Sequence, residues 1–282
     1  MKTPPPNDDH VRAAGIVDRR LRDKRFLVFG ALVLFSLALG LKSELVSPAA
    51  VWWLAAGLVA VCSPVIVAYL RPAEVAAQSG PHQGIRPALE HFVPALLGAV
   101  AVAGLSLVVR QWWVWTLAVA AFGAGFAVAA RLDYLGLHEP AKRGHHFLQE
   151  AILSAALAGA FLAVLGSPFN PVLKLAWIFI LAALAAYRSF RVSGTPMAPR
   201  RGLLFALLVA QVATFFSWAI FSYAAAAPEG VFAAMLLLAW YINRGVIRHA
   251  AEETLNRNVL VEYSLFAALL VLIFVLSLRP PG

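Results

Sequence analysis

Charge is scarce in this sequence. Of 282 residues, 13% are Asp, Glu, Lys or Arg, against roughly 25% in an average soluble domain. Acidic residues are the scarcest, with 14 Asp and Glu against 23 Lys and Arg, for a net charge of +9. Cysteine is almost missing, and Cys62 stands alone. A disulfide framework and any multi-cysteine metal site are therefore excluded. Cys62 lies inside an apolar run, where a free thiol reads as a small packing residue. The metalloprotease spacing HExxH is absent. A nucleophile site joining Cys62 to Arg244 and His249 fails on placement, because Cys62 lies in the middle of an apolar run.

What is present is apolar: 61% of the residues, with a mean hydropathy of +0.78. Over a whole chain that value means that most of it sits in lipid. A soluble enzyme, a disordered chain and a nucleic-acid-binding domain are excluded. The pI of 10.2 would suggest nucleic acid only if the basic residues lined an exposed face, and here they separate apolar runs. A membrane span needs about 20 apolar residues. Nine candidates follow, at 26–41, 49–70, 91–109, 112–130, 147–165, 171–187, 203–223, 231–247 and 259–278. The expected fold is thus all-α, a polytopic membrane helical bundle of about nine transmembrane helices. It divides into a basic N-terminal segment, 1–25, and one transmembrane domain, 26–282. Segment 9–25 can form a basic amphipathic helix on an anionic leaflet or remain a solvated tail that sets topology. The long, polar, proline-rich start does not read as a cleaved signal peptide.

Orientation follows from the rule that cytoplasmic loops collect Lys and Arg. With the N-terminus cytoplasmic and the C-terminus outside, 19 of the 23 basic residues fall inside, and only Lys42, Arg110, Lys174 and Arg279 fall outside. Trp52, Trp53, Trp112, Trp113 and Trp115 begin spans at their outer ends, where interfacial aromatics belong. The expected location is a bacterial-type plasma (inner) membrane, with most polar chemistry facing the cytoplasm.

Ionisable residues inside the spans are few. Lys174 can snorkel outward, while Glu150 and Glu262 lie about one turn inside the inner ends. A proton relay or a row of gating charges cannot be drawn, which demotes an ion-coupled transporter. Gln211, Thr214 and Ser217 form a mild stripe that reads as helix–helix hydrogen bonding. Ala99 with Ala103, Gly123 and Gly125, and Gly159 with Ala163, read as close-packing faces. His82, His91, His138, His145, His146 and His249 gather on the inner side with several acids. His145, His146 and Glu150 can converge at one helix end, as can His249 with Glu253. Such histidines in polar loops read as solvated rather than as metal ligands. A faint echo links the residues at 142–147 (KRGHHF) to those at 200–205 (RRGLLF); each is a basic cap before an apolar helix.

The nine-span layout, the inner N-terminus and the polar loops after even-numbered spans resemble the UbiA prenyltransferase superfamily. In that family the loop after the second helix carries N-D-x-x-D-x-x-x-D, followed by Arg-Pro. Here Arg86-Pro87 occupies the Arg-Pro position, and Tyr69, Leu70, Ala73 and Ala77 stand where the motif should be, none of them acidic. Glu74 is one position off. The second acidic motif, expected after the sixth span, is replaced by the stretch 187–194 (YRSFRVSG) with two arginines. Segment 252–261 (EETLNRNVLV) resembles the E-x-x-L-x-x-D-x-x-L pattern of phosphoribose-accepting members, with Asn258 near the acidic position.

The resemblance implies a bundle that moves a prenyl chain from its diphosphate to an acceptor, with Mg²⁺ bridging the diphosphate. Without recognisable carboxylates, the expectation shifts from transfer to binding, and no cofactor is assigned unless the protein is an active, Mg²⁺-dependent transferase. Arg71, Arg86, Arg188 and Arg191 are then the residues expected to hold a phosphate. The expected partner is a membrane lipid or isoprenoid phosphate. The alternatives are a non-enzymatic membrane subunit packed against a partner complex and a small-solute transporter.

Overall fold

The computed structural model describes residues 92–277 apart from 109–110, 139–142, 193–196 and 224–227. The expected spans at 26–41 and 49–70, the N-terminal segment, Cys62, Arg71 and Arg86 lie outside the described residues. Seven α-helices follow one another: α1 (Val93–Val108), α2 (Trp112–His138), α3 (Arg143–Leu165), α4 (Pro171–Val192), α5 (Pro199–Tyr223), α6 (Glu229–Ala251) and α7 (Arg257–Ser277). No strand occurs among the described residues. Five helices, α3 to α7, are long and apolar enough to cross a membrane, and α1 and α2 carry shorter apolar stretches.

The helices alternate in direction. Arg201 at the start of α5 donates to the carbonyl of Ala251 at the end of α6. At the opposite end Phe221 meets Phe232, with ring centroids 4.8 Å apart. The starts of α3, α5 and α7 and the ends of α4 and α6 therefore share one end of the bundle, which also gathers the arginines. This is the basic end of the bundle.

Several helices run past the apolar segment that predicts them, most of all at the basic end. α3 begins at Arg143 rather than 147, α4 continues to Val192 rather than 187, α5 begins at Pro199 rather than 203, and α6 continues to Ala251 rather than 247. Hydropathy marks where lipid-compatible side chains stop. The helix goes on because its backbone groups stay paired and long arginine stems still cover apolar surface.

The turns are fixed by local chemistry. Asn170 caps α4 by accepting from the Leu173 N–H at 2.8 Å, with Pro171 at the first helical position, where it needs no N–H partner. Asn256 caps α7 in the same way, accepting from Val259 N–H at 3.0 Å. Between α6 and α7, Thr254 N–H reaches His249 O at 2.9 Å and Glu253 N–H reaches Ala250 O at 3.3 Å. This is a Schellman ending, and Glu253 takes the left-handed position with φ 56° that usually falls to glycine.

The core is built from small residues. Ala160, Ala163, Ala182, Ala185, Ala186, Ala206 and Ala210 are fully buried among Phe161, Ile178, Leu181, Met235, Leu236 and Trp240. Without water to drive apolar association inside lipid, helices cohere by close packing, which small side chains permit. α4 pairs most extensively with α5, and α1 with α3. Gly104 lies so close to Ala163 that any side chain there would overlap it. A methyl on Gly159 would sit 2.7 Å from Phe122 Cζ and 2.9 Å from Ala101 Cβ. The face predicted from Gly159 and Ala163 is thus a helix contact. Gly125 instead opens onto a cavity. Lys174, one turn into α4, reaches to the far end of the bundle, where its ammonium caps the C-terminus of α3 by donating to Leu165 O.

Candidate functional site at the basic end

A buried ionic node joins three helices at the basic end. Glu150 comes from α3, Ser189 from α4 and Arg244 from α6. Nη1 of Arg244 pairs with Glu150 Oε2 and donates to Ser189 Oγ at 2.6 Å. Ser189 donates its own proton to Glu150 Oε1 at 2.7 Å, closing a three-membered ring of charge-assisted bonds. The side chain of Arg244 is only 8% exposed and that of Glu150 17%. The guanidinium carbon lies 5.0 Å from the Trp240 ring centroid and 5.5 Å from that of Tyr241, within cation–π range. Trp240 is itself buried and donates its indole N–H to Ala182 O at 3.2 Å.

Not every polar atom near this node is satisfied. Arg244 Nε, His146 Nδ1 and Asn243 Nδ2 are buried without a hydrogen-bond partner. Burying an unpaired polar atom is costly, so this region is polar in excess of its own internal pairing.

Of the four arginines expected to hold a phosphate, Arg188 and Arg191 are described. Arg188 is buried at 2% exposure and engaged in interactions within the chain. Arg191, three residues on, is half-buried, donates to Met197 O at 2.6 Å and packs its stem on Gly202 of α5. The structure thus separates their roles: Arg188 faces the interior and Arg191 the loop. Arg200 and Arg201 on α5 are exposed beside it, with Arg201 stacked over Phe205 at 5.5 Å. Arg248 is paired with Glu252 at 3.1 Å.

The histidine expectation is corrected in one place. His249 and Glu253 do not share a helix face, because α6 ends at Ala251 and Glu253 turns into the left-handed conformation. His249 Nδ1 instead meets Thr254 Oγ1 at 2.9 Å. Among the described residues no group of three or more His, Cys, Asp or Glu converges on a metal position. Mg²⁺ demands an oxygen-rich shell, yet the segment after α4's apolar run offers Arg188, Ser189 and Arg191. The described residues therefore do not fit Mg²⁺. The segment that resembles E-x-x-L-x-x-D-x-x-L is a helix-to-helix turn, in which Glu252 pairs with Arg248 and Asn256 caps α7.

On the other side of α3 lies an apolar cavity of about 370 Å³ between α1, α2 and α3. Pro94, Gly98, Phe122, Gly125, Ile152 and Ala156 are among its walls. Its size is within the range of small-molecule pockets, about 300–1,000 Å³.

Sequence reasoning placed Glu150 within reach of the interface and did not join it to Arg244. A signal existed. Both fall inside predicted spans, 147–165 and 231–247, near the same end and with opposite charge, and intramembrane ions rarely stand unpaired. No family model, curated protein or solved structure matches this chain.

Proposed function

We propose that this protein is a multi-pass inner-membrane bundle of UbiA-like, nine-helix layout that binds a polyprenyl phosphate or similar lipid from the cytoplasmic side without Mg²⁺-dependent transfer. The reading rests on one pairing of features. The basic end gathers Arg191, Arg200 and Arg201, and an all-apolar cavity lies one helix away, lined from α3 by Ile152 and Ala156. Arginine holds phosphate oxygens through its fixed fork of donors, while an apolar cavity accepts a prenyl chain. With no carboxylate cluster among the described residues, phosphate charge is balanced by guanidinium groups rather than by a metal.

The test is a thermal-shift titration of the purified protein with geranylgeranyl diphosphate, with and without Mg²⁺. At ligand concentrations near 100 Kd, binding stabilises a fold by about 2.7 kcal/mol. The expected shift is equal in both conditions and is lost in Arg191→Ala. Gly98 lines the cavity and has open space around its Cβ position, so Gly98→Leu places its side chain at the cavity wall; it is expected to keep the fold and weaken the prenyl ligand but not inorganic diphosphate. A Mg²⁺-dependent shift would instead restore the transferase reading, and no shift would remove the isoprenoid.

A further inference from the structure

α6 carries two arginines one above the other. Arg244 and Arg248 are four residues apart, so they share a helix face with Cβ atoms about 5–6 Å apart. Each is held by a carboxylate, Arg248 by Glu252 through Nε at 3.1 Å and Arg244 by Glu150 through Nη1. Arg248 lies in the last turn of α6 with its side chain 18% exposed. Arg244 lies one turn deeper, at 8%. The two guanidinium groups thus form a ladder from the basic end into the bundle, with an anion on each rung.

The deeper rung is incomplete. Glu150 has both oxygens engaged, Oε1 by Ser189 and Oε2 by Arg244, and Ser189 Oγ already accepts from Arg244. Arg244 Nε is nonetheless buried with no hydrogen-bond partner among the described residues. A guanidinium nitrogen only donates, so what the node lacks is an acceptor. A cation cannot fill that place, because the N–H has no lone pair to offer it. His146 Nδ1, one turn nearer the basic end than Glu150 on α3, is buried and unpartnered as well, and a protonated imidazole also donates.

We propose that Arg244 and Arg248 form a seat for a phosphate or diphosphate group, and that Glu150 and Glu252 are resident counter-ions which the ligand displaces. The inference rests on the phosphate-binding reading above and extends it inward from Arg191. Water would satisfy a single N–H, whereas an oxyanion presents several charged acceptors and meets two guanidinium groups at once. Exchanging one anion for another also keeps the buried arginine paired throughout, and it is the unpaired buried charge that is costly. The resident carboxylates set a threshold for the ligand. A terminal phosphate carries about −1.5 to −2 at pH 7 and competes with them better than the single charge of a phosphodiester headgroup.

The test is calorimetric titration of the purified full-length protein with inorganic diphosphate and with geranylgeranyl diphosphate. Glu252→Gln removes one competing anion and is expected to tighten binding by up to about fivefold, the strength of a partly exposed ion pair. Glu150→Gln should tighten it further, since its partner is the more buried; if that variant does not fold, Glu252→Gln carries the comparison. Glu253→Gln removes the same charge from an exposed position next in the chain and is expected to leave the affinity unchanged. Glu150→Gln combined with Arg244→Gln removes the deep rung without leaving a lone charge, and should weaken binding by roughly tenfold to a hundredfold, the range of a hydrogen bond to a charged group. Effects on both ligands would assign the seat to the phosphate group itself, and effects on geranylgeranyl diphosphate alone to a lipid phosphate. Equal tightening in Glu252→Gln and Glu253→Gln, unchanged affinity in Glu252→Gln, or full affinity in the double variant would each overturn the seat while leaving the phosphate-binding reading, which is lost only if the unsubstituted protein binds neither ligand.

Discussion

Arg244 is held inside the bundle by groups from three helices. A lone guanidinium at this depth is expensive, and Glu150, Ser189 and the faces of Trp240 and Tyr241 together offset that cost. The consequence is asymmetric. Replacing a buried pair with apolar groups of similar volume is often close to neutral, whereas removing one partner leaves an uncompensated charge and costs about 3–5 kcal/mol. Glu150→Gln is therefore expected to lower the thermal unfolding midpoint of the purified protein sharply. Glu150→Met combined with Arg244→Met should recover most of that loss, a non-additivity that a double-mutant cycle measures directly. A midpoint unchanged in Glu150→Gln would mean that water reaches the pair and that the node contributes nothing to stability.

At the scale of the helix, the end of α6 stores a small conformational cost. Glu253 adopts the left-handed conformation at φ 56°, which costs an L-residue with a Cβ roughly 1–2 kcal/mol. Glycine there relieves the strain but gives back about 0.5–1 kcal/mol in unfolded-state freedom. Glu253 is exposed and its φ, not its carboxylate, defines the turn. Glu253→Gly is thus expected to stabilise by up to about 1 kcal/mol, seen as a modest rise in the unfolding midpoint, while Asn256→Ala at the next cap should lower it by about 1 kcal/mol. Helix positions were legible in the sequence because hydropathy is a local property: all seven described helices coincide with predicted spans. Their ends at the basic side were not, since the extra turn through Ser189 and Arg191 is held by backbone bonding that hydropathy does not register. Partnership was less legible still. Whether Glu150 faces lipid, solvent or Arg244 depends on how three helices are rotated, and no single segment carries that information.

For the whole molecule, the division into a basic end and a nearly uncharged end carries the functional argument. From α4 to α7 the basic end holds Arg188, Arg191, Arg200, Arg201, Arg244, Arg248 and Arg257, whereas Lys174 is the one described basic residue at the far end and is spent on capping α3. Insertion follows such asymmetry, so the basic end should face the cytoplasm, where a phosphorylated ligand would meet it. Two exposed turn residues can report this from outside the helices: Pro168 at the far end, between α3 and α4, and Thr254 at the basic end, between α6 and α7. In a Cys62→Ser background, Pro168→Cys is expected to react with a membrane-impermeant maleimide in intact cells, and Thr254→Cys only after permeabilisation. The reverse pattern would place the arginines outside, where neither the charge rule nor a cytoplasmic lipid phosphate could account for them. Labelling of both residues in intact cells would mean that the bundle does not hold one orientation, and that the charge asymmetry between its two ends does not set its insertion.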